Sequence, residues 1–441
     1  MVATSGTARQ LITRRSLLHA GTAGVVGVAA TATLAACGGQ QPTPSSAPAT
    51  LRYACWGDQA TVMGVEQKMV DAFTARNPKI TVAPIELTAN TNEHYNKLIT
   101  QLAGGTPPDQ AMVNILLFPT FYSQNALLDL TPYVQKTKRK LEDYWPSQMN
   151  GFKYEGKVWG FGHDFSPRLM FVNKTMLSRA GQTIDEQKWT WDDFVRIAKA
   201  MTRSDDDPKA WGTHAGDYLN WLYSAGGSVY NADGTKVTMD TPQAVRGLEY
   251  QVDLVSKHRV TPLAAERGGR AELQLFIDGQ IGMFMTGRWQ YPRFTPAASL
   301  DWDVVLPPVG PGGRWTNGGG AGFSILKPGK QADAAWELLA WMSGDGQKEV
   351  ADVIGIPSYK PATQAPKFKV TKPANDKVFI DLAEKYTKLQ PLHPKQNDID
   401  RLIADELGKA QSGQKPVVDA ARAIAEQGTA IVQGFPWKQG L

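Results

Sequence analysis

Leu51-Arg52-Tyr53-Ala54-Cys55-Trp56 opens the stretch that decides the fold. It is an apolar run of strand length, and a helical pattern follows it at once. Val62, Val65, Met69 and Phe73 share one helical face, closed by Asn77-Pro78. Ile80, Val82 and Ile85 alternate as a second strand. A second helix is predicted around Glu93 to Leu102, stopped by Gly104-Gly105-Thr106-Pro107-Pro108, and Gln110 to Val113 reads as a third strand. The order β-α-β-α-β implies an α/β fold with a mostly parallel sheet covered by helices. In such sheets ligands sit beyond the carboxyl ends of the strands. That rule selects Trp56-Gly57-Asp58, the segment from Glu86 to Asn92, and Asn114 as candidate site residues.

Downstream the pattern changes. Phe161 to Val172 is an extended run interrupted by Pro167. Thr190-Trp191-Asp192-Asp193 reads as a helix start, with Thr190 as cap and Asp193 at the third helical position. Thr241-Pro242 opens another helix. Leu273, Phe276 and Ile277 lie on a helix closed by Gly279. Ile281, Met283 and Met285 alternate as a strand that runs into Gly287-Arg288-Trp289. Pro307-Pro308 and Gly318-Gly319-Gly320 mark a crossing between regions. Two amphipathic helices end the chain, one lined by Ile399, Leu402, Ile403 and Leu407, the other by Val417, Ala421, Ile424 and Ala425, with Gly413 between them.

Upstream, residues 1–36 read as an export signal. Thr13-Arg14-Arg15-Ser16-Leu17-Leu18 is a twin-arginine pattern, an apolar small-residue run follows, and Leu34-Ala35-Ala36-Cys37 is the pattern at which lipoproteins are cleaved and Cys37 takes lipid. The competing reading is a membrane-spanning helix, but the run is rich in alanine and glycine and only weakly apolar. Residues 37–50, with Pro42, Pro44 and Pro48 among polar residues, read as a solvated stalk. The expected location is the outer face of the cytoplasmic membrane, tethered by acyl chains.

The net charge of +5 owes much to that leader, whose three arginines meet no acidic residue. The body is nearly neutral, and its longest basic run, Lys136-Lys138-Arg139-Lys140, reads as a solvated face. No nucleic-acid surface is indicated. With Cys37 lipidated, Cys55 is alone, so no disulfide framework is possible, and Cys55 reads as a small buried hydrophobe. There is no H-E-x-x-H helix, G-x-S-x-G elbow, phosphate loop or C-x-x-C pair, and the six histidines share no ligand spacing. No cofactor, metal or catalytic residue is expected. What stands out is tryptophan, thirteen in 441 residues, with Trp56, Trp221, Trp289 and Trp315 each within two residues of Gly, Asn or Asp. An indole at a cleft stacks on the apolar face of a sugar ring while Asp, Asn and Arg bond its hydroxyls. The alternative for any one tryptophan is core packing.

Four stretches resemble the extracellular solute-binding proteins of ABC importers, the family that includes maltose- and other sugar-binding proteins. They are Tyr95-Asn96-Lys97-Leu98 through Gly105-Thr106-Pro107-Pro108-Asp109; Gly156-Lys157-Val158-Trp159-Gly160-Phe161 with Asn173-Lys174; Phe276 and Gly279-Gln280-Ile281-Gly282-Met283 through Gly287-Arg288-Trp289; and Gly319-Gly320-Ala321-Gly322-Phe323-Ser324-Ile325. The resemblance covers about Leu51 to Val432. It implies a two-lobed, periplasmic-binding-protein-like fold with discontinuous lobes and an interlobe cleft: 51–163 with 318–362, and 164–317 with 363–441. It also implies a monomer that binds a carbohydrate and passes it to the permease subunits of a transporter, with no bond chemistry. Trp56, Asp58, Asn114, Asp164, Arg168, Trp221, Arg288, Trp289, Gly319, Gly320 and Tyr359 are the expected ligand residues. Ser166-Pro167-Arg168-Leu169 departs from the family pattern, and Arg168 offers a bidentate donor to a hydroxyl or an acid group. Two rivals are a glycerol phosphate, glycerophosphodiester or polyamine ligand on the same fold, and a secreted polysaccharide-cleaving enzyme with two apposed carboxylates.

Overall fold

The structure is a computed structural model that describes residues 48–57, 63–206, 208–297, 300–349, 355–368, 372–389, 391–435 and 437. Chain order builds the first lobe. Strand β1 (Tyr53–Trp56) is followed by α1 (Lys68–Arg76), β2 (Glu86–Thr88), α2 (Thr91–Ala103) and β3 (Gln110–Asn114). β1 lies between β2 and β3, parallel to both, as the β-α-β-α-β order requires. The second strand differs from its sequence reading. Ile80–Val82 pairs instead with Ala49–Leu51, and only Glu86–Thr88 joins the main sheet. The cause is local: Pro84 lies between the two pieces and cannot donate to a ladder. Cys55 is fully buried, and burial pushes its thiol pKa up, so it packs as an inert hydrophobe.

A short strand, β4 (Phe161–Gly162), completes that sheet at its edge. From it the chain crosses through β5 (Asp164–Pro167) into the second lobe. There β6 (Leu169–Asn173), α3 (Trp191–Met201), β7 (Trp211–Thr213), α4 (Tyr218–Ser224), α5 (Pro242–Ser256), β8 (Ile281–Thr286) and β9 (Trp302–Val305) follow. This sheet has the order β7-β8-β6-β9. α3 starts as its sequence predicts: the Thr190 hydroxyl accepts from Asp193 N–H, and the Asp193 carboxylate accepts from Thr190 N–H at 3.0 Å.

The chain returns through β10 (Thr316–Gly319) to β11 (Ala321–Ile325), which inserts between β3 and β4, antiparallel to both. Helix α6 (Ala332–Met342) covers it. β12 (Ile356–Pro357) and β13 (Thr387–Leu389) then flank the two crossing strands, giving a small third sheet of order β12-β5-β10-β13. Helices α7 (Gln396–Gln411) and α8 (Val417–Gln433) pack with α4 and α5. Beyond α8, Trp437 returns to the first lobe and stacks on Tyr154 with centroids 4.0 Å apart.

Two cores hold the lobes. Tyr53, Phe118, Phe152, Phe161 and Phe323 fill the first. Phe171, Tyr291, Phe294, Trp302 and Phe379 fill one side of the second sheet, and Trp191, Phe194 and Trp221 the other. Each such ring contributes about 1.5–3 kcal/mol by leaving water.

The crossing is packed without slack. A Cβ on Gly320 would lie 2.0 Å from the Asp164 carbonyl oxygen. Backbone cannot yield as a side chain would, so Gly320→Ala is expected to destabilise by about 1–3 kcal/mol. Thermal unfolding would show this as a fall of several degrees, and an unchanged melting temperature would contradict the close approach.

Candidate functional site

The carboxyl ends of β1 and β3 and the amino end of β11 share one edge of the first sheet. At that edge Gly57, with φ 145°, turns the chain away while its N–H donates to the Thr88 carbonyl at 3.0 Å. Trp56 is half-buried, its ring 5.3 Å from His94. Burial lowers the His94 pKa to about 4, so the neutral ring donates from Nε2 to the Met112 carbonyl at 2.8 Å. Asn114 is half-buried and turns its Oδ1 to the Leu116 N–H at 2.9 Å.

Behind this edge, at the start of the crossing, lies a buried ionic cluster. His163 Nδ1 is 3.1 Å from Asp164 Oδ1, and its Nε2 is 2.8 Å from Glu66 Oε1, close enough for an ion pair although misaligned for a hydrogen bond. Tyr53 donates to the other Glu66 oxygen at 2.7 Å. Burial alone would lower the His163 pKa. The charges of Glu66 and Asp164 overrule it and raise it to about 10. Burial also works against the Asp164 carboxylate, but bonds from His163, Ser166 and the Ala321 N–H hold its pKa below the usual range.

In the second lobe β7 and β8 run parallel, so their carboxyl ends share one edge of that sheet. After β8 the chain turns at Gly287, where an added Cβ would lie 1.5 Å from the Trp289 ring. The indole therefore lies back along its own turn, and at 39% it is among the few exposed large apolar side chains. The Arg168 guanidinium sits 4.6 Å from its centroid. After β7, Asp217 caps α4 through the Leu219 N–H at 3.0 Å and accepts from Asn317 Nδ2 at 2.6 Å. Asn317 N–H in turn donates to Asn220 Oδ1.

Several expected ligand residues have other duties. Trp221 is 2% exposed, donates from Nε1 to the Ala215 carbonyl at 2.7 Å, and packs on Phe194, Tyr250 and Trp191. It is core, because it lies on the inward face of α4. Arg288 is 3% exposed and spends its guanidinium on Asp376 and the carbonyls of Gly355 and Phe368. It ties the end of β8 to the 355–376 segment. Asp164 and Gly320 are crossing residues, bound to each other's surroundings, and Gly319 is a buried member of β10. Tyr359 stands apart, in a pocket on the first lobe with Arg139, Tyr144 and Trp341. Asp58 and Cys37 lie outside the described residues. Sequence reading missed Asp217 and Asn317. Their neighbours Gly216 and Gly318 are the only local hint, and the pairing joins residues far apart in the chain.

Among the described residues no cluster of His, Cys, Asp and Glu could hold a metal ion, and no helix is long and apolar enough to cross a membrane.

Comparison with known proteins agrees with this architecture. Residues 57–349 match the model of the bacterial extracellular solute-binding proteins, and the chain belongs to that family. An arabinooligosaccharide-binding protein of Halalkalibacterium halodurans is 24% identical over 295 residues, 62% of this chain and 63% of that relative. The chain thus spans a little under two thirds of the curated relatives' length in these matches. An ABC substrate-binding protein of Listeria monocytogenes, solved in complex with cycloalternan, superposes with a TM-score of 0.78 at 27% identity, covering 88% of this chain and 99% of that one. The maltose-bound MalE3 of T. maritima gives 0.73 at 23% identity, covering 87% and 100%. The α/β, two-lobed fold is therefore that of the family.

The ionic cluster sets a pH dependence. His163 has a folded pKa above its unfolded value of about 6.5, so its contribution to stability is full below about pH 6.5 and is lost as pH rises toward 10. Asp164 acts oppositely, and its contribution is lost only as pH falls below the normal carboxylate range. The melting temperature should fall by several degrees from pH 6.5 to 10, and the slope should flatten in His163→Asn. An equal slope in that variant would remove His163 as its source.

Proposed function

We propose that this chain is the extracytoplasmic solute-binding component of an ABC importer, that it holds a sugar or oligosaccharide between its lobes, and that it delivers the ligand to a permease. The observation that carries the reading is Trp289: an exposed indole at the carboxyl end of a β-strand, backed by glycine and braced by Arg168, whose own N–H donates to the Asn317 carbonyl while the Asn317 side chain bonds Asp217. The ring supplies the apolar face a pyranose or furanose stacks on, and the polar groups supply in-plane partners for hydroxyls. The relatives named for arabinooligosaccharide, cycloalternan and maltose support the same ligand class.

Binding without bond cleavage fits the carboxylates. A glycosidase needs an acid held protonated near neutral pH. Asp164 is held ionised instead, Asp217 is committed to Asn317 and the cap of α4, and Asp400, whose pKa burial and the charge of Asp217 raise, is bonded by Gln396 and Tyr218. Cys37 supplies the lipid anchor in this reading, so Cys37→Ala should release the protein from the membrane fraction. Unchanged fractionation would remove the anchor.

Trp289→Ala tests the site. Aromatic stacking contacts are worth about 1–3 kcal/mol by analogy with nucleobase stacking, which corresponds to a loss of roughly one to two orders of magnitude in affinity. Calorimetry against an arabino- and malto-oligosaccharide panel should show that loss with the melting temperature of the free protein nearly unchanged. Full affinity with a much lower melting temperature would make Trp289 a packing residue and misplace the site.

A further inference from the structure

The crossing sheet brings together three side chains that no sequence pattern links. β10 and β13 run in parallel with Asn317 opposite Lys388. On the other side of β10, Arg168 N–H donates to the Asn317 carbonyl at 3.1 Å, one residue beyond the Gly318–Pro167 pair of β5 and β10. Arg168, Asn317 and Lys388 therefore form one cross-strand row. Residues level in adjacent strands project to the same face of a sheet, and neighbouring strands are about 4.8 Å apart, so the two cations start about 10 Å from each other. The shared face is the one α4 covers: Asn317 bonds Asp217 and Asn220, and the Lys388 ammonium lies 5.5 Å from the Tyr223 ring and 4.7 Å from Trp315.

Neither cation is neutralised. Arg168 is half-buried, makes one hydrogen bond, to the Ser166 carbonyl at 3.1 Å, and has no carboxylate within ion-pair distance among the described residues. Lys388 is half-buried and has no hydrogen-bond or ion-pair partner among the described residues. Burial lowers the pKa of both, so each is held charged at a cost, with the field of Asp217 and Asp164 offsetting part of it at Arg168. The nearby carboxylates are already committed, Asp164 to His163, Ser166 and Ala321, and Asp217 to Asn317 and Leu219. Arginines buried more deeply are satisfied, Arg288 by Asp376 and two carbonyls and Arg314 by the carbonyls of Glu186 and Gln187, and the half-buried Arg52 pairs with Glu86. Two unsatisfied cations on one face, beside an exposed indole that Arg168 itself braces, are the pattern expected where a ligand brings the missing negative charge.

We infer that the row Arg168–Asn317–Lys388 is a specificity subsite for an anionic substituent, a carboxylate or phosphate, on the saccharide. The inference rests on the sugar-binding reading above. Arg168 takes two oxygens of the anion with its guanidinium fork, Lys388 adds a point charge from the other side, and the sugar ring carrying the group lies against Trp289.

The test is calorimetry at low salt with matched probes: trigalacturonate against galactotriose, glucuronosyl-xylotriose against xylotriose, and maltose 6′-phosphate against maltose. At least one anionic probe should bind tenfold or more tightly than its neutral partner, and the preference should shrink as salt rises. Lys388→Gln should cut the preference about tenfold while leaving neutral-sugar affinity within a few-fold, and Lys388→Arg should keep it; Arg168→Gln, which also removes the brace on Trp289, should weaken neutral and anionic probes alike and cut the preference about tenfold besides. A uronate preference assigns the subsite to a carboxylate, and a phosphate preference to a phosphoryl group. Neutral probes binding as tightly as their anionic partners would overturn the inference and leave the sugar-binding reading standing. An anionic preference unchanged in both Gln variants would overturn the assignment to these residues. If no probe of either kind binds, the sugar-binding reading itself falls.

Discussion

The contact between His163, Glu66 and Asp164 is the constraint on which the rest depends. It locks the first crossing strand to the first lobe at the point where the chain leaves it. Buried charges are costly, and removing one partner of such a set strands the others, so the crossing is held in one geometry. The Ala321 N–H bond to Asp164 fixes the return strand to the same anchor. With β5 and β10 side by side, the two sheets are held next to each other at the crossing.

That arrangement explains why a binding protein needs so little chemistry at its site. Two sheets joined by short paired strands can change their mutual angle by bending a few backbone torsions at the crossing. A ligand that touches both lobes favours the closed arrangement by whatever contacts it makes there and not in the open one. The segment after α8 adds a further link, since Trp437 docks among Tyr122, Tyr154 and Phe118 of the first lobe while its helix packs on the second.

Much of the fold was legible because it is written locally. The alternation from Tyr53 to Asn114, the capping box at Thr190 and the strand into Trp289 each depend on spacing within a few residues. The splitting of the second strand at Pro84 was readable in principle, since proline breaks a ladder. The site was legible only in part. Trp221 is core and Trp289 exposed: Leu219, Leu222 and Tyr223 around the first already mark an inward helix face, whereas Arg288 and Gln290 flank the second. Arg288 directly precedes the exposed indole but points inward to Asp376. Lys388 gave no signal at all, since its place beside Asn317 follows from strand pairing between distant segments.

The central claim is that the two lobes close on a saccharide held between them. Small-angle X-ray scattering of the protein, titrated with an oligosaccharide that calorimetry shows to bind, tests it most directly. The account predicts a smaller radius of gyration at saturation, with the same change absent in Trp289→Ala at that concentration. Scattering that is identical with and without saturating ligand would contradict it.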